Sequence, residues 1–109
     1  MGIGTKNPRE GAAWLTKAAQ QGDRGAMVNL GMCYLNGNGV EQDSAVALRW
    51  FRRAQDRPLA QLHLGLCFHN GFGTEVDHRR AAGWLTRAAE QGNEDAQEFL
   101  KLPEYCAEA

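Results

Sequence analysis

Apolar residues along the chain fall three and four apart, the spacing of one helical face, in short blocks that stop at glycine. The block from Asp23 to Asn36 is apolar on two sides, with Ala26, Leu30, Cys33 and Tyr34 on one and Val28, Met32 and Leu35 on the other. The block Leu59–Asn70 repeats this, with Ala60, Leu64, Cys67 and Phe68 opposed by Leu59, Leu62 and Leu66. A helix that is apolar all round calls for cover on both sides. Two further blocks are one-sided: Ala47, Trp50, Phe51 and Ala54, then Ala81, Trp84, Leu85 and Ala88. Asp43 and Asp77 stand where an N-cap would accept from free backbone N–H groups. Gly37 and Gly39, like Gly71 and Gly73, end the preceding helix and turn the chain, while Gly22 and Gly92 close the helices that carry Trp14 and Trp84. No segment alternates with period two, so no strand is predicted.

The blocks form a repeat. Leu30-Gly31-Met32-Cys33-Tyr34-Leu35-Asn36-Gly37 returns as Leu64-Gly65-Leu66-Cys67-Phe68-His69-Asn70-Gly71, an offset of 34. Trp14, Trp50 and Trp84 keep nearly the same beat. Each period is a helical hairpin, and a hairpin buries its apolar side only against a neighbour. The expected organisation is one repeat domain over 1–109, with a half-repeat at 1–22, repeats at 23–57 and 58–92, and a partial terminal repeat and tail at 93–109. Gly2-Ile3-Gly4-Thr5-Lys6 reads as the close of a glycine loop, with Asn7 in the slot of Asp43. About five helices are expected, the first from about Pro8 to Gln20. After Ala96 and Leu100 the motif is abandoned, because Lys101 takes the glycine position and Pro103 follows. Trp50, in the middle repeat, is expected to be packed from both sides, and Trp14 from one.

The order Ala26, Leu30, Gly31, Tyr34, Gly37, Gly39, Val40, Asp43, Ala47, Trp50, Ala54 resembles the Sel-one-like repeat (SLR) family, a relative of the tetratricopeptide repeat. The second copy runs Ala60, Leu64, Gly65, Phe68, Gly71, Gly73, Asp77, Ala81, Trp84, Ala88, with Phe68 and Thr74 as mild departures. The resemblance implies an all-α fold, an α/α solenoid built as a superhelical stack of antiparallel helix hairpins. It implies a non-catalytic protein–protein interaction module, such as a bacterial regulator, a virulence-associated adaptor or a toxin-neutralising protein. It also implies that Val28, Met32, Leu35, Leu59, Leu62 and Leu66 line a concave groove for a partner peptide or helix. Asn36, His69 and Asn70 would add polar selectivity there. The alternatives are a structural segment that forms a homo-oligomer through open repeat ends, and a weaker nucleic-acid or acidic-surface reading through basic residues.

Charge narrows these alternatives. Twelve Lys and Arg against 13 Asp and Glu leave −1, which removes any global argument for nucleic acid or an anionic membrane. A local argument survives: Lys17, Arg53 and Arg87 are repeat-equivalent and predict a ladder, thickened by Arg49, Arg52, Arg57, Arg79 and Arg80. Asp56 and Glu90 follow two of these cations at i+3, so local pairing on a solvated face is the plainer expectation. No apolar run approaches the roughly 20 residues that span a bilayer, and residues 1–6 lack the basic start and apolar stretch of a secretion signal.

Candidate chemistry is sparse. Cys33 and Cys67 occupy equivalent positions in helices expected about 8–10 Å apart, beyond the roughly 7 Å reach of a disulfide. They are expected as small buried fillers, and Cys106 lies in the tail. One cysteine per repeat departs from the disulfide-bonded secreted members of the resembled family, which favours a reducing, cytoplasmic compartment. His63 and Cys67 have the i, i+4 spacing of zinc ligands but lack two more, since His69 falls on another side. Residues 36–43 lack the alternating carboxylates of a calcium loop. The lone serine, Ser44, sits outside any nucleophile motif. No metal, no cofactor and no catalytic residue is expected.

Overall fold

The computed structural model describes residues 7–106, and the Gly2–Lys6 loop reading lies outside them. Six helices follow in order: α1 Pro8–Gln20, α2 Arg24–Asn36, α3 Ser44–Arg53, α4 Pro58–Asn70, α5 His78–Glu90 and α6 Glu94–Phe99. No strand occurs among the described residues. The helix starts are built by short polar side chains. Asn7, Asp23, Asp43 and Asp77 accept from the backbone N–H of Glu10, Ala26, Val46 and Arg80 at 3.0–3.2 Å. Helix α4 has no such cap; Pro58 opens it, and its missing N–H leaves one fewer donor to satisfy.

The sixth helix corrects the expected five. Its start is intact: Asn93 accepts from Ala96 N–H at 2.8 Å, and Glu94 and Asp95 lie in the first turn, where the helix dipole favours negative charge. The missing glycine removes a closing signal, and a helix starts without one. After Phe99 the chain tightens into successive turns, with Leu102 N–H donating to Phe99 C=O and Tyr105 N–H to Leu102 C=O.

The chain divides into two compact units, Met1–Ala54 and Gln55–Ala109. In the first, α2 packs on α1 and α3; in the second, α4 packs on α5, and α5 on α6. The recurring motif glycine marks a close approach of two helices in each. A Cβ on Gly31 would lie 2.5 Å from the Phe51 ring, and one on Gly65 would lie 2.7 Å from Leu85 Cγ. The loops are closed alike: Gly37 and Gly71 take left-handed φ of 70° and 77°, and Asp43 and Asp77 N–H donate to the carbonyls of Tyr34 and Phe68 at 2.8 Å. Trp50 departs from expectation. It is half-buried at the edge of the apolar face, and the aromatic side chain fully buried in that helix is its neighbour Phe51.

Candidate functional site

The residues expected to form a groove divide by burial. Val28 and Leu62 are 3% and 5% exposed, so they offer no area to a partner. Leu66 packs against a core of Leu62, Leu85, Ala88 and Ala96 in the second unit. Here the chain itself, through α5, α6 and the terminal turns, covers side chains that periodicity alone left open. Met32 and Leu35 on α2 are half-buried and Asn36 is exposed; Leu59, at the start of α4, is exposed. Asn70 is exposed and donates to Leu66 C=O of its own helix. His69 is engaged locally, against Phe99, His78 and Tyr105.

The basic ladder has a partner that spacing alone did not suggest. Lys17, Arg53 and Arg87 lie over the rings of Trp14, Trp50 and Trp84 at 5.5, 5.0 and 4.7 Å from the centroids. Each cation covers the tryptophan three residues before it, one helical turn away. Cys33 is half-buried, Cys67 buried and Cys106 exposed, and all three are free thiols. Burial pushes the Cys67 thiol up to about 11, which suits a packing role and not a nucleophile. His63 is half-buried, and burial lowers its pKa below the ordinary histidine value.

An apolar opening lies elsewhere, in the first unit. Helices α1 and α2 enclose an open hollow of about 880 Å³, lined by Gly11, Ala12, Trp14, Leu15, Ala18, Ala26, Asn29 and Cys33 among others. Trp14 is 69% exposed at its wall. The second unit shows what such a slot holds. Gly11, Leu15, Ala18 and Ala26 correspond, 70 positions on, to Ala81, Leu85, Ala88 and Ala96. Those four meet α4: Leu62 joins the cluster of Leu85, Ala88 and Ala96, and Gly65 lies against Leu85 and the Ala81 carbonyl. Gln91 of the second unit, whose amide donates to Gln61 of α4 at 2.8 Å, has Gln21 as its counterpart. Leu85 and Ala88 are fully buried, whereas Leu15 and Ala18 are only half-buried. No described element of the first unit fills the slot. Repeat matching aligns these positions but does not show the slot, because an open face depends on which elements pack there.

A second cluster sits at the other end of the chain. The ligand atoms of His69, His78 and Glu104 all lie within 4.8 Å of one another. His69 ends α4 and His78 begins α5, so the glycine loop between them brings the rings to 5.3 Å. Their counterparts one repeat earlier are Leu35 and Ser44, which made them visible only as departures from the motif.

An all-helical array of hairpins, with the motif glycines Gly31 and Gly65 at the α2–α3 and α4–α5 contacts and no strand among the described residues, defines a helical-repeat protein of the α/α-solenoid class. The Sel1 repeat family model matches residues 1–23, 25–56 and 58–93, and the chain belongs to that family. No curated protein matches it. Among solved structures it is similar to a protective antigen of uropathogenic Escherichia coli displaying an SLR fold (37% identity, TM-score 0.82, covering 84% of this chain and 20% of that one). It is also similar to a Sel1 repeat protein from Oxalobacter formigenes (40%, 0.80, 85% and 28%). A third relative is cysteine rich protein B of Helicobacter pylori (28%, 0.71, 82% and 68%). The chain thus spans about a fifth and just over a quarter of the length of the first two. Sel1 repeat proteins are generally protein-interaction modules, and the fold is typically non-catalytic. No helix among the described residues is long and apolar enough to cross a membrane.

Proposed function

We propose that the protein is a non-catalytic interaction module that seats an apolar helix of a partner protein in the hollow between α1 and α2. One observation carries this reading. The hollow presents Gly11, Leu15 and Ala18, with Ala26 buried beside them, and these four are counterparts of the residues that hold α4 in the second unit. The occupant that fits is therefore a helix of the α4 kind. It carries a leucine for the Leu15–Ala18–Ala26 wall, a glycine three residues later where it crosses Leu15, and a glutamine in reach of Gln21. Burying one such leucine contributes about 1.5–3 kcal/mol. Trp14 forms the outer wall, and a large exposed aromatic is what an interface core commonly uses.

The test uses the full chain and a helix-stapled peptide of the α4 sequence, residues 58–70, since an unconstrained helix of that length is marginal in water. Titration is expected to give saturable binding with a blue shift of tryptophan emission that disappears in Trp14→Phe. A peptide carrying Gly65→Val should bind at least tenfold more weakly, because its side chain would meet Leu15. Ala18→Glu in the chain should abolish binding without unfolding it. No binding, or equal binding of the valine peptide, would overturn the reading.

A further inference from the structure

We propose that His69, His78 and Glu104 form a binding site for a divalent transition metal ion of the zinc, cobalt or nickel class, one that staples the C-terminal turn to α4 and α5. Three elements converge there without any demand from the repeat. The motif places Leu35 and Ser44 at the positions of the two histidines in the preceding copy, and Glu104 belongs to the turn after α6. Their donor atoms already lie within 4.8 Å of one another. Donors about 2.1 Å from a tetrahedral ion sit about 3.4 Å apart. His78 and Glu104 are exposed, which leaves their side chains room to rotate toward that spacing.

The surroundings fit a ligand role for His69 more closely than a surface role. Its Nδ1 is in hydrogen-bond contact with the Tyr105 hydroxyl. With the proton on Nδ1 the ring donates to the phenol oxygen, and Nε2 keeps its lone pair for an ion. A partner on the second ring nitrogen is the usual means of fixing a metal-binding imidazole. Phe99 stands edge-on to His69 at 5.7 Å, and Tyr105 stands perpendicular to His78 at 5.8 Å. Both imidazoles are thus flanked by aromatic rings. Two imidazoles and one carboxylate select the borderline divalent ions over calcium or magnesium, which take oxygen. Three protein donors leave a position for water or for a ligand from a partner.

The experiment titrates zinc chloride into the metal-free, full-length chain by calorimetry and follows the melting temperature. One equivalent is expected to bind in the micromolar range and to raise the melting temperature by several degrees, reversed by chelator. His78→Ala and Glu104→Gln, both at exposed positions, should leave the metal-free melting temperature unchanged and weaken binding at least tenfold. Tyr105→Phe should weaken it about tenfold while keeping one-to-one stoichiometry. Cys106→Ser should bind as the parent does, and cobalt loading should show no thiolate charge-transfer band. Absence of binding at millimolar zinc would overturn the proposal. So would full binding by the His78 and Glu104 variants, or a thiolate band.

Discussion

Two glycine-to-alanine changes, both within helices of the second unit, should differ clearly in their effect on stability. At Gly83 of α5 a Cβ would meet nothing within 4 Å, and the residue is exposed. Alanine there gains the helix preference alone, about 1 kcal/mol. At Gly65 of α4 the same atom would lie 2.7 and 2.8 Å from Leu85 Cγ and Cδ2 and 3.3 Å from the Ala81 carbonyl. Leu85 is fully buried, so it has no free space to retreat into. Overpacking of this kind costs about 1–3 kcal/mol. The helix preference is common to both changes and cancels in the comparison. The two variants should therefore differ by about 1–3 kcal/mol, with Gly83→Ala above the parent and Gly65→Ala below it or level. For a domain of this size that is a separation of roughly 4–20 °C in melting temperature. Urea unfolding followed by far-ultraviolet circular dichroism reads the difference, provided the slope is unchanged. A Leu85→Ala background should shrink the penalty of Gly65→Ala, since it removes the obstructing atoms. If Gly65→Ala stabilises as much as Gly83→Ala, the close approach of α4 to α5 is not there, and the reason given for the recurring glycine fails with it.

In the first unit, Phe51→Ala should cost about 3–5 kcal/mol. Trp14→Ala, at an exposed position under Lys17, should stay within about 1 kcal/mol, with Trp50→Ala between them; equal losses on thermal unfolding would contradict the burial order. Alkylation at mildly alkaline pH should modify exposed Cys106 quickly and buried Cys67 only on unfolding, read by peptide mass spectrometry. His63 has a folded pKa below its ordinary value of about 6.5, so the unfolded chain binds the proton more tightly. Stability is then whole above about 6.5 and falls as pH drops through that value toward the folded pKa. A melting temperature that falls between about pH 7 and 5, and falls less in His63→Gln, is the expected result.

Local rules decided a large part of this protein. The N-caps at Asn7, Asp43 and Asp77, the glycine turns at 37 and 71, and the 34-residue beat are read within a few residues of chain, because caps and left-handed turns depend on side chains three or four positions away. The family was legible for the same reason. The tertiary structure decided which apolar side chains stay open. Val28 and Leu62 look alike in periodicity to Met32 and Leu35, yet the first two are buried and the others half-buried, because burial depends on what packs over a side chain, which no helical period encodes. It also decided that Lys17, Arg53 and Arg87 lie over tryptophans, and that Gly11, Leu15, Ala18 and Ala26 line a slot that no described element of the first unit fills, while their counterparts are filled. His69, His78 and Glu104 belong to two helices and a terminal turn. Their meeting is set by how α4, α5 and the turn after α6 pack, and packing between separate elements is what a one-dimensional pattern does not carry.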